Sequence, residues 1–385
     1  MKSVTILGST GSIGVSTVDL LLQAPDRYRV AVLVGGRNAR KLAEQATALE
    51  ASHAVIADET CHAELATLLE GTGIRTSAGR QAVCDAAGER VDWTMAAITG
   101  AAGLAPTLEA IKGGAAIALA NKEALVCAGD VMLRAVADAG ATLLPVDSEH
   151  NAIFQAMADR QADQVEKIIL TASGGPFRTA SIEEMERAPP EIALRHPVWS
   201  MGAKITIDSA TLFNKGLEVI EAARIFGLPG ERIDVLVHPQ SVVHGMVQYT
   251  DGSLLAQLGS PDMRIPIAHA LAWPKRMATN SPRLDLARVA QLTFEAPDMV
   301  RFPALRLARA ALAAGGAAPA ILSAANEIAV EAFLARRIGF LDIARLVEAV
   351  LDRIGAQAAD TIEAVLYWDQ EARRQAGLHA SSRAA

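Results

Sequence analysis

Cysteine is scarce in this 385-residue chain. Its three cysteines, Cys61, Cys84 and Cys127, lie far apart and form no CxxC pair. Such spacing offers neither a disulfide framework nor a thiolate metal site, and it suits a reducing compartment. Positive charge is not in excess: 36 Lys and Arg stand against 43 Asp and Glu, a formal net charge of −7. A nucleic-acid or anionic-membrane surface is therefore not expected, which leaves room for a local basic pocket that takes a small anion. No uncharged apolar run approaches membrane-spanning length. Met1 leads almost directly into a strand-like run without the pattern of a secretory signal, so a cytoplasmic location is expected. Hydrophobic residues at 51% and charged residues at 21% describe a globular chain rather than a disordered one. The length exceeds one ordinary core and predicts two or three domains.

What is present begins at the N-terminus. Val4–Leu7 is a short β-branched run, Gly8-Ser-Thr-Gly11-Ser-Ile-Gly14 follows, and Val15–Leu22 has helical character. Strand, glycine-rich turn and helix together give a dinucleotide fingerprint its meaning, although GxxGxxG is a variant spacing that also fits a plain tight turn. Glycines there let backbone N–H groups approach a pyrophosphate at a helix N-terminus. A second strand, Arg29–Val34, runs into Gly35-Gly36-Arg37-Asn38, where the acid that takes the ribose 2′-hydroxyl of NAD is missing. Arg37 suits a 2′-phosphate, which favours NADP, or it is an ordinary surface arginine. Further strand-like runs at Ala54–Ala57, Trp93–Ile98 and Ala116–Ala120 predict a doubly wound, mostly parallel sheet. The last of these ends in Asn121-Lys122-Glu123, where Lys122 either meets a phosphate or carbonyl or starts a helix with a solvated ammonium.

The stretch LLPVDSEHNAIFQ, Leu143–Gln155, switches abruptly from apolar to acidic. Read as a continuing strand, it places Asp147 and Glu149 on the same side. Two carboxylates so close call for a hard divalent cation such as Mg²⁺ or Mn²⁺, or else they form a solvated turn that caps the next helix. Lys167–Thr171 is a strand leading into Ala172-Ser173-Gly174-Gly175-Pro176-Phe177, a plausible anion nest or a plain turn. The loop Arg195–Gly202 carries His196, Trp199 and Met201, which either form a lid over a substrate or anchor the loop to the core. After Lys204–Asp208 comes a helical pattern with Asn214, Lys215 and Glu218 along one edge and Phe213, Leu217 and Ile220 on the buried side. That edge supplies a third carboxylate and a phosphate-binding ammonium, or only a surface ion pair. Strands at Val235–Val237, Val242–Tyr249 and Ser253–Gln257 predict an antiparallel or mixed sheet with an edge able to support a dimer. Pro274–Asp298 reads as a linker, and the alanine-rich remainder as a helical bundle.

The motifs GSTGSIG, LANKEAL, PVDSEHNAIFQ, SGGPF, HPVWSMG, DSATLFNKGLE, HPQSVVHGMV and GSPDMRIP occur in that order. Together they resemble the 1-deoxy-D-xylulose 5-phosphate reductoisomerase family over essentially the whole chain. The resemblance implies an α/β protein with a Rossmann-like NADPH-binding domain at 1–149. A central α+β catalytic and dimerisation domain would follow at 150–273, then a linker at 274–299 and a helical domain at 300–385. It implies a homodimer that rearranges 1-deoxy-D-xylulose 5-phosphate and reduces it with NADPH to 2-C-methyl-D-erythritol 4-phosphate, a step of non-mevalonate isoprenoid biosynthesis. By motif match, Asp147, Glu149 and Glu218 would hold Mg²⁺ or Mn²⁺, with Co²⁺ a further candidate. Ser173, Ser209, Asn214 and Lys215 would take the substrate phosphate. Lys122, Ser148, Glu149, His196, Trp199, Glu218 and Met263 would contact the substrate, and catalysis would rest on Lys122, Asp147, Glu149, His196 and Glu218. Thr10, Gly11, Ser12, Ile13, Gly36, Arg37, Asn38, Asn121, Glu123 and Gly202 would contact NADPH. Arg37 stands where the family also carries lysine, so the positive charge is kept. One tension is internal: strand alternation would turn Ser148 away from the metal side, which suggests that the strand ends by Asp147.

Two rival functions share these features. An NADP-dependent dehydrogenase without an isomerase step would need no Glu218 and no divalent metal. A nucleotide-sensing binding protein would bind NADPH and never oxidise it.

Overall fold

The computed structural model describes residues 1–157, 163–199 and 201–383, with side chains through 381; Ser200 of the expected closing loop lies outside the described residues. Two compact units emerge. One is built from Met1–Ala124, Val131–Asn151 and Asp262–Ser281, the other from Leu125–Asp130, Ala152–Pro261 and Pro282–Ala385.

In the first unit, strands β1 (Lys2–Leu7), β2 (Tyr28–Gly35), β3 (His53–Ile56), β4 (Arg75–Ala78), β5 (Trp93–Ala96), β6 (Ala116–Leu119) and β7 (Thr142–Pro145) form one sheet in the order β4-β3-β2-β1-β5-β6-β7. Every neighbouring pair is parallel. The expected doubly wound sheet is therefore present. Strands β3 and β5 are buried at every position, as continuous apolar runs are when both faces of a parallel sheet are covered. Chain order reverses at β1, which has β2 on one side and β5 on the other, and the glycine turn leaves its C-terminal end at this switch point. Strand β4, Arg-Thr-Ser-Ala at the sheet edge, had no apolar signal to announce it.

Two expectations need correction here. Strand β7 stops at Pro145, and a helix, Ser148–Ala156, begins three residues later. The amide of Asn151 donates to the Asp147 carbonyl at 2.8 Å, so Asp147 stands at the helix start and Glu149 in its first turn. Strand alternation does not relate the two acids; acidic residues entering a helix complement its positive N-terminal dipole. The chain also returns to the first sheet after the catalytic segment. Fully buried Trp93 donates Nε1 to the Ala270 carbonyl at 3.0 Å, and Arg264 pairs with Asp19 at 3.3 Å. These bonds accompany the grouping of Asp262–Ser281 with the first unit, whereas residues 262–273 were expected in the catalytic segment and 274–281 in the linker.

In the second unit, β8 (Val165–Ala172), β9 (Ile233–Val237), β10 (Val243–Tyr249) and β11 (Leu254–Leu258) form a sheet in the order β11-β10-β8-β9. Strands β8 and β9 are parallel and the other pairs antiparallel, the mixed sheet expected. The helix Phe213–Phe226 packs on the helix Ala304–Ala314 through Gly216, where an added Cβ would come within 2.8 Å of the Ala308 Cβ. Helices Ala318–Leu334, Asp342–Ile354 and Ile362–Arg383 are the helical segments expected of the alanine-rich remainder. The KITID stretch is helical within Ala203–Thr211: residues 206–208 are buried consecutively, and Thr206 donates its hydroxyl to the Gly202 carbonyl at 2.9 Å.

Candidate active site

The glycine turn is held from two sides. The amides of Gly8 and Ser9 donate to the Val34 carbonyl at 2.9 and 2.8 Å, tying the turn to the end of β2. From the helix Ala39–Ala48, Gln45 Nε2 donates to the Ser9 carbonyl at 2.9 Å and Lys41 Nζ to the Thr10 carbonyl at 3.0 Å. Gly8 has φ +92, and a Cβ there would lie 2.6 Å from the Ala97 oxygen; one at Gly14 would lie 2.3 Å from the Gly8 oxygen. Only glycine fits either position. The helix Ser12–Leu22 then starts from Gly11 with no side-chain cap and no acid in its first turn. Its leading amides are open to an anion, with Thr10, Gly11, Ser12 and Ile13 at the mouth.

Beyond β2, Gly36 and Arg37 are exposed, and Asn38 caps the helix Ala39–Ala48 by accepting from the Lys41 amide at 3.0 Å. The Arg37 Nε lies 2.9 Å from Asp58 Oδ2. Sequence reasoning missed Asp58; its signal was an acid two residues past the end of β3. Asn121 is buried at the start of the helix Lys122–Ala139, its Nδ2 donating to the Gly100 carbonyl at 3.2 Å. Glu123 follows in the first turn of that helix. Lys122, 8% exposed, pairs with Asp147 at 2.7 Å. Burial pushes the Asp147 carboxyl up, but the Lys122 ammonium and the charge of His150 outweigh it and hold the group well below the usual carboxylate range. Ser148 donates its hydroxyl to Glu149 Oε2 at 2.5 Å. Met263 is half-buried immediately before the helix Arg264–Ala272. His150, fully buried beside Asp147, was also missed; a histidine one turn into a helix carries no distinctive spacing.

The second unit assembles its own group. Ser173 directly follows β8, and Gly174 and Gly175 come next at φ +82 and +64. A Cβ on Gly175 would sit 2.9 Å from the Ala210 Cα, so this loop lies directly against Ser209 and Ala210. The helix Ala203–Thr211 starts after exposed Gly202 and ends at Leu212 in the left-handed conformation, and the helix Phe213–Phe226 starts there without a side-chain cap. Asn214 and Lys215 stand in its first turn. The Ser173–Gly175 loop thus meets the end of the helix that carries Ser209, with Asn214 and Lys215 on the next helix. Glu218 is fully buried, accepting from Asn214 Nδ2 at 2.5 Å and from the Lys215 ammonium. The Lys215–Glu218 pair is interior, which rules out the surface ion pair that was one of its two readings.

His196 is half-buried and its pKa is lowered from 6.5 by desolvation. Its Nδ1 accepts from the Val198 and Trp199 amides at 3.1 and 2.8 Å, so the ring proton sits on Nε2, which faces Ser173 Oγ at 2.9 Å. Ser173 Oγ also accepts from the Gly175 amide at 3.2 Å, which leaves its own proton to donate. Trp199 and Met201 are half-buried, with the Trp199 ring tilted against His244 at 6.2 Å.

Comparison with known proteins decides the family. The pattern of 1-deoxy-D-xylulose 5-phosphate reductoisomerase matches residues 4–129. Its C-terminal domain matches 143–226, and the DXP reductoisomerase C-terminal domain matches 258–375. A 1-deoxy-D-xylulose 5-phosphate reductoisomerase of Gluconobacter oxydans (strain 621H) is 67% identical over 98% of this chain and 93% of its own length. The chain belongs to the 1-deoxy-D-xylulose 5-phosphate reductoisomerase family. A solved reductoisomerase from Zymomonas mobilis in complex with NADPH is 54% identical, with a TM-score of 0.95 over 99% of each chain. A DOX-P reductoisomerase in complex with NADPH, fosmidomycin and magnesium is 43% identical, with a TM-score of 0.94 over 99% of this chain and 98% of that one. This reductoisomerase-family chain therefore shares the fold of those proteins throughout its length, as its ordered motifs implied.

Proposed function

We propose that this chain rearranges 1-deoxy-D-xylulose 5-phosphate and reduces the product with NADPH to 2-C-methyl-D-erythritol 4-phosphate, using Mg²⁺ or Mn²⁺. The observation that carries the reading is 67% identity to a named reductoisomerase over 98% of the chain. In this reading the glycine turn, Gly36, Arg37, Asn38, Asn121 and Glu123 receive NADPH, and Gly202 adds a contact. Asp147, Glu149 and Glu218 hold the ion. Their donors are all carboxylate oxygens, the set a hard divalent cation takes, and the full burial of Glu218 suits a ligand better than a solvated acid. When bound, the ion stabilises charge developing on substrate oxygens and NADPH supplies the reducing equivalent.

The chain's own residues do the rest. Ser173 Oγ donates outward because His196 and Gly175 already occupy it as donors. Ser209, Asn214 and Lys215 join it around the substrate phosphate, away from the reacting carbons, and orient them through binding energy. Lys122 keeps a cation beside Asp147 and Ser148 a hydroxyl beside Glu149. Trp199 and Met201 exclude water as their loop closes, with Met263 near the substrate.

The functional unit in this reading is a cytoplasmic homodimer. Strand β11 supports it: it is a sheet edge with Leu254 and Leu255 51% and 46% exposed, an edge that soluble proteins cover. Among the described residues no helix is long and apolar enough to cross a membrane. Loss of NADPH absorbance only when deoxyxylulose phosphate and Mg²⁺ or Mn²⁺ are both present tests the reaction. Turnover that survives EDTA would replace it with a metal-free dehydrogenase.

A further inference from the structure

The second strand carries no acid after it, yet the fold delivers one. Asp58, just past β3, reaches Arg37 with Oδ2 2.9 Å from Nε. The acid is fixed in place: the Thr60 amide donates to its Oδ1 at 3.0 Å and the Thr60 hydroxyl at 2.6 Å. Its own amide donates to the Gly36 carbonyl at 3.1 Å, so the turns after β2 and β3 are bonded to each other beside Arg37. The Arg37 side chain, by contrast, is 82% exposed and has little packing to hold it. A long side chain that must fork a phosphate loses conformational freedom on binding. A fixed carboxylate at Nε removes part of that loss beforehand and leaves the two terminal nitrogens for bidentate contact.

We infer that Asp58 is a positioning residue for cofactor choice: it holds the Arg37 guanidinium ready for the 2′-phosphate of NADPH and so sharpens discrimination against NADH. The opposite role is electrostatic. A carboxylate near a phosphate repels it, and an acid that only competed for Arg37 would weaken NADPH binding. The hydrogen bonds of Thr60 hold the Asp58 carboxyl below the usual carboxylate range, so it stays charged at neutral pH in either role.

The inference rests on the reading of Arg37 as the 2′-phosphate contact, and the test separates the two. Dissociation constants of the full-length protein for NADPH and NADH are measured by nucleotide fluorescence for wild type, Asp58→Ala, Asp58→Asn, Arg37→Ala and the Arg37/Asp58 double alanine variant. Asp58→Asn keeps an acceptor for Thr60 and guards against loss of the turn. Expected is a two- to fivefold weaker NADPH affinity in both Asp58 variants, the scale of one partly exposed ion pair. NADH affinity should be unchanged, and Asp58→Ala should have no effect on NADPH once Arg37 is gone. Tighter NADPH binding in the Asp58 variants, or an equal loss for NADH, overturns the inference while Arg37 keeps its role. If Arg37→Ala itself leaves the NADPH-to-NADH ratio unchanged, the reading of Arg37 falls, and the inference falls with it.

Discussion

His196 Nε2 lies 2.9 Å from Ser173 Oγ, although 23 residues separate the two in the chain. Because Nδ1 is already engaged by two backbone amides, the bond has one direction, from imidazole to hydroxyl. The serine is thereby turned from an undirected hydroxyl into an outward donor. In the proposed function this bond prepares Ser173 to donate to the substrate phosphate.

Removing it should affect substrate more than cofactor. His196→Ala is expected to lower kcat/KM for deoxyxylulose phosphate by about ten- to hundredfold, the range for a lost polar partner in a half-buried site. NADPH affinity should stay within about twofold, measured by fluorescence titration. Equal losses for both ligands would place His196 outside the phosphate site.

The same geometry sets a pH dependence. A protonated Nδ1 would face two donating amides, so the neutral ring is the working form. Desolvation lowers the His196 pKa below 6.5, and the neutral form therefore prevails at pH 7. Activity should hold as pH falls to 6.5 and decline only below it. A kcat/KM profile of the wild type should show this acid limb, and one of His196→Ala should lack it.

Stability carries a second histidine signal. His269 accepts from Asn151 Nδ2 at 3.2 Å, and burial, aided by the nearby charge of Arg276, lowers its pKa to about 4. The unfolded value of 6.5 is the higher one, so the unfolded chain takes up the proton first. The contribution of neutral His269 is complete above pH 6.5 and fades as pH drops toward 4. Urea unfolding should show a His269→Gln penalty at pH 7.5 that shrinks at pH 5. A penalty independent of pH would mean that the ring serves packing alone.

Glu218→Gln should abolish turnover, by at least about a hundredfold, while NADPH binding stays nearly intact. Fluorescence titration and the absorbance assay read the two effects separately. A parallel loss of NADPH affinity would show that Glu218 belongs to another site.

Two glycines near the N-terminal ends of the first two helices should behave differently. Gly14→Ala forces a Cβ to within 2.3 Å of the Gly8 oxygen, whereas Gly36 has no atom within 4 Å of the added carbon. The first should cost about 1–3 kcal/mol of stability and the second almost nothing. Denaturant midpoints compare them directly.

Local pattern was enough for part of this protein. Apolar, β-branched runs that lead into glycine mark β1 and β2, because a strand covered on both faces is mostly apolar. The glycine turn is legible for a related reason: close backbone approaches at Gly8 and Gly14 admit no side chain. The ordered motifs carried the family and the identities of the proposed ligands.

Tertiary structure alone decided the rest. It seated the Ser173–Gly175 loop on Ser209, set the direction of the His196 bond, brought Asp58 to Arg37 and carried Asp262–Ser281 back to Trp93. Each of these joins groups through chain folding, not through a repeating local spacing. Periodicity reports which face of one segment is buried; it holds no information about which distant segment will cover it.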